Sequence, residues 1–248
     1  MTHDRTLLAR LAGLAGLVLG LEALVGGGLV SPWVLAPPTE IARAVPGLLR
    51  DEDLPRMVLI TLGETLAATT LAAAIGVAAG YLLFVCRPLG RAYEPWLGAL
   101  FAAPTVLLYP LFLVVFGRSL ATIVAMGVVT GAIPIIIKMR EGLLGVPRVL
   151  LDVGRSFKLT EAALVRKILV PAAAPTIFTG FRLGLIYALV NVVGVEFLID
   201  LGGLGRLVSD LYYRYQIPAM YAVILCIVGV SLVVFRGLGA LEARIRTT

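Results

Sequence analysis

The chain has 248 residues, 60% of them hydrophobic and only 15% charged, and its mean hydropathy is +1.00. A water-soluble domain is about half apolar and a quarter charged, so this composition excludes one and points to a single integral membrane domain over 1–248. The formal net charge of +6 is what an excess of Lys and Arg on the cytoplasmic side of a membrane gives, and it needs no nucleic-acid partner.

A bilayer core of about 30 Å takes about 20 helical residues. In chain order the apolar runs that meet this length are Leu7–Val30, Met57–Cys86, Pro95–Phe116, Leu120–Ile137, Ile177–Ile199 and Pro218–Phe235, so the fold expected is all-α with about six spans. The first run follows Arg5 and Arg10 and is longer than the apolar region of a secretory signal, about 7–15 residues; it reads as an uncleaved span. With the N-terminus inside, about fourteen basic residues fall on the cytoplasmic side and about six on the other, which places both termini in the cytoplasm.

Between the first two spans, Pro37-Pro38-Thr39-Glu40 followed by Ile41, Ala44, Val45 and Leu48 predicts a short external interfacial helix. Gly117-Arg118-Ser119 predicts a tight turn, and Gly202-Gly203-Leu204-Gly205 predicts a flexible external loop, since it lacks the strand–turn–helix setting of a phosphate loop. Cys86 and Cys226 lie at or within apolar runs and read as small buried hydrophobes. Ionisable groups inside spans are costly and mark pathways or interfaces. Glu64 and Glu196 both fall in the outer halves of their spans, where with Thr61, Thr65, Tyr109 and Asn191 they line an aqueous path or else bond neighbouring helices. Glu22 and Arg182 sit nearer span ends and snorkel.

The longest cytoplasmic segment runs from Lys138 to about Thr176. Val149 to Phe157 predicts a short helix, Lys158-Leu159 a break, and Thr160 an N-cap for a second helix that carries Glu161 in its first turn and ends at Pro171. The pair is apolar on one face and basic on the other. The stretch Asp152-Val153-Gly154-Arg155-Ser156-Phe157-Lys158, nine residues, and Ile168-Leu169-Val170-Pro171 resembles the cytoplasmic E-A-A, three residues, G, nine residues, I-x-L-P loop of permease subunits in bacterial ATP-binding-cassette importers. The spacing is kept, with Asp152 in place of Glu, Val153 and Gly154 in place of the alanines and Lys158 in place of the glycine; Glu161-Ala162-Ala163 is out of register. The segments Ser31-Pro32, Pro37 to Glu40, Pro171 to Pro175, Gly180 to Leu183, Val195 to Phe197 and Gly203 to Gly205 are similar to the nitrate/sulfonate/taurine branch.

The resemblance implies the type I importer permease fold and a homodimer that joins two cytoplasmic ATPase subunits and an external substrate-binding protein. It implies alternating access for a small solute such as nitrate, a sulfonate or taurine, with ATP and Mg held by the ATPases and no cofactor on this chain. Carried over residue by residue, the ATPase-coupling set is Asp152, Gly154, Arg155, Ser156, Phe157, Lys158, Leu159, Thr160, Ile168 and Pro171. Phe157 and Leu159 would fill the groove on the ATPase, and Arg155 and Lys158 would meet its acidic rim. Lys158 is the main departure, because a left-handed turn is free for glycine and costs other residues about 1–2 kcal/mol, so the bend is expected to be shaped differently. No segment reads G-x-x-x-x-G-K-[ST], so the chain carries no P-loop and no ATPase site; His3 alone offers neither a metal site nor acid–base catalysis. Alternatives are a six-span secondary carrier using Glu64 or Glu196 as a proton relay, or a membrane scaffold that transports nothing.

Overall fold

The computed structural model describes residues 2–246, with side chains from 12 to 240 apart from 14. The element order is α1 (Thr2–Gly26), α2 (Pro38–Arg50), α3 (Leu54–Val85), α4 (Arg87–Ala102), a 3-10 turn (Thr105–Leu108), α5 (Tyr109–Phe116), α6 (Leu120–Leu144), α7 (Arg148–Ser156), α8 (Glu161–Leu164), a π turn (Val165–Leu169), α9 (Val170–Ile199), α10 (Gly203–Tyr213) and α11 (Ile217–Arg246). Among the described residues four helices are long and apolar enough to cross a membrane: α3, α6, the run Glu161–Ile199 and Ile217–Ala240. The pair α4 and α5 makes a fifth crossing if taken together, and α1 contributes a shorter apolar stretch, Ala15–Gly26, among its described residues.

The third expected span is not straight. Its two halves meet at 94°. Ala103 is extended (φ −73°, ψ 144°) because it precedes Pro104, whose ring crowds the helical conformation of the residue before it and which has no N–H to continue the ladder. The loop after α6 differs in the opposite way. Its second helix does not stop at Pro171 but runs through α8, the π turn and α9 as one helix of 39 residues. In the π turn the Val170 N–H reaches back five residues to the Val165 carbonyl, and this wider turn accommodates the following proline.

The centre of the bundle is α3, α6 and α9, joined along a seam of small residues. Ala68, Ala72 and Ala188 are fully buried. A Cβ built on Gly184 would lie 2.7 Å from the Gly131 carbonyl oxygen, one on Gly76 would lie 2.6 Å from an Ile135 methyl, and one on Gly80 would lie 2.7 Å from Met139. In lipid the hydrophobic effect gives helices no reason to associate, so close backbone approach and dispersion supply the cohesion, which is why bare backbone lines the seam. Outward-facing Leu59, Leu66, Val190 and Val233 are exposed, as a lipid-facing surface requires.

Two further clusters close the ends. At one end Leu48 of α2, Leu54 of α3, Leu204, Leu207 and Leu211 of α10 and Val223 of α11 form one buried core. At the other end Met139, Leu143 and Val146 pack with Leu169, Ala173 and Ile177, and Leu151 of the loop joins them. The short helix expected after the first span is present as α2, folded against α11 through its buried stripe. Glu22 of α1 ties to the start of α2, accepting from the Thr39 hydroxyl at 2.6 Å and its N–H at 3.2 Å.

The seam is directly testable. Gly184→Val forces its methyls into Gly131 and Ile135 and is expected to cost about 1–3 kcal/mol. Thermal unfolding in detergent should show a clear drop, whereas Gly194→Ala, on the same helix with nothing within 4 Å, should leave the transition in place.

Candidate functional site

The loop after α6 is built from two packed arms. Gly154 is buried on the inner face of α7, and a Cβ there would lie 2.5 Å from Ile168 Cδ1 and 2.7 Å from Leu164 Cδ1, so glycine alone allows the arms to touch. The α7 C-terminus closes as a Schellman motif: the Lys158 N–H donates to the Arg155 carbonyl at 2.8 Å and the Leu159 N–H to the Gly154 carbonyl at 3.3 Å. Lys158 occupies the left-handed position of this motif, with φ of 55°. The turn expected for glycine is therefore retained with a lysine in it, at a cost of about 1–2 kcal/mol. Thr160 then starts the second arm, its hydroxyl accepting from the Ala163 N–H at 3.3 Å.

The coupling residues separate into two groups. Phe157, 76% exposed, stands at the tip beside exposed Lys158, and exposed Val149 and Val153 extend its apolar surface along α7. Leu159 instead turns inward, 3.6 Å from the Cβ position of Gly154, and supports the turn from beneath. Asp152 and Arg155 pair at 3.6 Å, and the Ser156 hydroxyl donates to the Val153 carbonyl at 2.7 Å. Ile168 lies in the π turn and Pro171 in the first turn of α9, so both belong to the join between loop and span.

At the far end of α9, Glu196 is fully buried. The Thr61 hydroxyl of α3 donates to its two oxygens at 2.8 and 3.0 Å, and the Gly205 N–H of α10 donates to Oε2 at 2.8 Å. The Leu204 N–H donates in turn to the Thr61 oxygen at 2.9 Å. The free N–H groups of the first turn of α10 thus grip the carboxyl and its threonine, as helix N-termini do with acidic groups. Gly203 has φ of 77°, and a Cβ on it would lie 2.1 Å from Glu196 Oε1. The glycines expected to form a flexible loop are therefore the ordered start of α10: bare backbone is needed where the chain crosses the carboxyl.

Of the other residues expected on a path, Glu64 neighbours Glu196. Thr65 and Asn191 are buried within the chain, and Thr65 Oγ1, Asn191 Oδ1 and Glu64 Oε2 find no hydrogen-bond partner among the described residues. Tyr109 packs half-buried against the cluster of Ile123, Met126, Val195 and Ile199. The structure brings Thr61, Glu64 and Glu196 together and leaves Tyr109 in an apolar setting. Gly203, Leu204 and Gly205 are the partners that reasoning from the sequence missed; a Gly-x-Gly opening a helix a few residues past a buried carboxylate was the available signal.

Ion pairs ring this clamp. Arg118, in the turn between α5 and α6, donates to the Ile199 and Asp200 carbonyls and pairs with the Asp200 carboxylate at 2.8 Å, where Arg206 also binds at 2.9 Å. Arg214 pairs with Glu52 at 2.8 Å, and the hydrogen bonds it donates to that carboxylate hold its guanidinium above its usual range. Arg182 lies over the Phe235 ring, 3.8 Å from its centroid, in an apolar groove of about 390 Å³ between α9 and α11. Among the described residues no group of three or more His, Cys, Asp or Glu side chains could hold a metal ion.

Removing the clamp has an expected outcome. Glu196→Ala strands the Gly205 N–H and the Thr61 hydroxyl in the interior, at about 1–3 kcal/mol for each group. Melting in detergent should fall markedly. Glu196→Gln keeps an acceptor for Gly205 and should recover part of the loss.

Residues 72–247 match the family model described as the inner membrane component of binding-protein-dependent transport systems. Among relatives, the nitrate import permease protein NrtB of Synechococcus elongatus is 29% identical over 73% of this chain and 65% of its own length. The bicarbonate transport system permease protein CmpB of a Synechocystis species is 26% identical over 77% and 69%. Among solved structures, an inward-facing form of the MetNI methionine ABC transporter superposes with a TM-score of 0.68, covering 77% of this chain and 95% of that one at 24% identity. A multi-pass helical protein whose spans share this fold, whose loop is packed and whose sequence matches that model over most of its length belongs to the family of binding-protein-dependent transport system inner membrane components, and is the permease subunit of an ABC importer.

Proposed function

We propose that this permease works as a homodimer of single-domain subunits, with both termini in the cytoplasm, and that each copy receives one cytoplasmic ATPase subunit on the tip of its α7 loop. ATP and Mg belong to the ATPases, and this chain binds no cofactor. The solute, a small anion such as nitrate, bicarbonate or a sulfonate, is handed over by an external binding protein and crosses between the two copies by alternating access. Relatives named for nitrate and bicarbonate support that substrate class. Family membership favours this reading over a secondary carrier or a scaffold.

The observation that carries the mechanism is the unbroken helix of Glu161–Ile199. One end begins at Thr160, next to exposed Phe157 and Lys158; the other holds Glu196 against Thr61 and Gly205. Movement of the docked ATPase is applied at Phe157, passes through the Gly154–Ile168 contact into the helix, and shifts its external end together with α3 and α10. Arg155 and Asp152 set the charge of the docking face, and Ser156 and Leu159 hold its turn. Thr65, Asn191, Glu64 and Tyr109 serve the path by shaping the helices that bound it, since they are buried or half-buried in the chain.

ATP hydrolysis in nanodiscs that contain permease and ATPase subunits tests the reading. Loaded binding protein should stimulate hydrolysis, and Phe157→Ala should abolish most of the stimulation while the permease keeps its melting temperature. Hydrolysis indifferent to both would refute the coupling.

A further inference from the structure

Lys158 holds a left-handed backbone that glycine adopts at no cost and that asparagine tolerates better than lysine does. The turn therefore does not select a lysine. Complementing the negative end of α7 does not select it either, because Arg155 already places a cation in the last turn. What the position offers is presentation. The Lys158 N–H is fixed on the Arg155 carbonyl, Leu159 is anchored beneath, and the side chain projects, exposed, beside the 76%-exposed ring of Phe157. Arg155 has part of its charge answered by Asp152 at 3.6 Å, whereas Lys158 has no ion pair among the described residues.

We infer that Lys158 determines partner specificity: its ammonium pairs with a carboxylate on the ATPase subunit, at the rim of the apolar pocket that receives Phe157. The inference rests on the reading that this loop docks on the ATPase. It adds that the partner carries an acidic side chain beside that pocket, so an ATPase lacking one is rejected even where its pocket fits Phe157. Charge pairs at an interface rim act mainly on choice of partner and on association rate, and they weaken with salt.

The test titrates nanodisc-embedded permease with its ATPase subunit at about 0.05 M and about 0.5 M salt. Wild type should lose affinity at the higher salt. Lys158→Gly should melt higher than wild type when alone, yet bind roughly tenfold more weakly at low salt with little further change at high salt. Lys158→Asn, which also accepts the turn but carries no charge, should bind as Lys158→Gly does, and Lys158→Arg should behave as wild type. Lys158→Gly or Lys158→Asn binding as tightly as wild type at low salt, while Phe157→Ala binds weakly, would overturn the assignment of Lys158 and leave docking intact. Full affinity in Phe157→Ala would instead overturn the docking reading and the inference with it.

Discussion

The structure depends on one constraint, the continuity of the helix from Glu161 to Ile199. At 1.5 Å per residue it spans about 58 Å, more than a bilayer core, so one element reaches from the turn after α7 to the Glu196 clamp. Two prolines lie within it. Pro171 follows the π turn, whose extra width removes the crowding a proline ring imposes on the preceding turn, and Pro175 sits where Ala173 and Ile177 pack against α6. A break at either proline would have separated the loop from the span and left the loop a surface hairpin.

Small residues convert that rod into a bundle. Where Gly184 faces Gly131 the two backbones nearly touch, so α6 and α9 cannot slide without losing contacts along the whole seam. The same device recurs in the loop after α6, where Gly154 lets Leu164 and Ile168 close on α7, and at the far end of α9, where Gly203 and Gly205 let α10 close on Glu196. In each case a missing side chain sets the distance between two elements.

Much of this was legible from local pattern. The apolar runs located the helices, Thr160 was recognisable as a cap, and the spacing of Asp152, Lys158, Ile168 and Pro171 identified the loop, because these signals lie within a few turns of one another. What escaped depends on distant contacts or on a single dihedral. The right-angle bend at Ala103-Pro104 lies inside an apolar run whose hydropathy does not change there. The start of α10 reads as loop because glycines usually mark one, and only the nearby Glu196 explains them. For the buried polar residues Thr65 and Asn191 the sequence leaves path lining and helix–helix bonding both open, because it gives their face on the helix but not which neighbour covers it.

The contacts around α10 differ in kind, and on the proposed coupling this bears on how the rod moves. Around α10 the pairs Arg118–Asp200, Arg206–Asp200 and Arg214–Glu52 involve exposed or part-exposed groups, each worth about 0–1 kcal/mol. Beneath them, the Glu196 clamp is buried, and separating it would strand Thr61, Gly205 and the carboxyl together, at a cost of several times that. On the coupling proposed above, a push delivered at Phe157 carries α9, α3 and the start of α10 as one body, and the surface ion pairs re-form around it. The cheapest place for relative motion is the surface ring, and the buried contact is the one that preserves alignment between the two faces of the membrane.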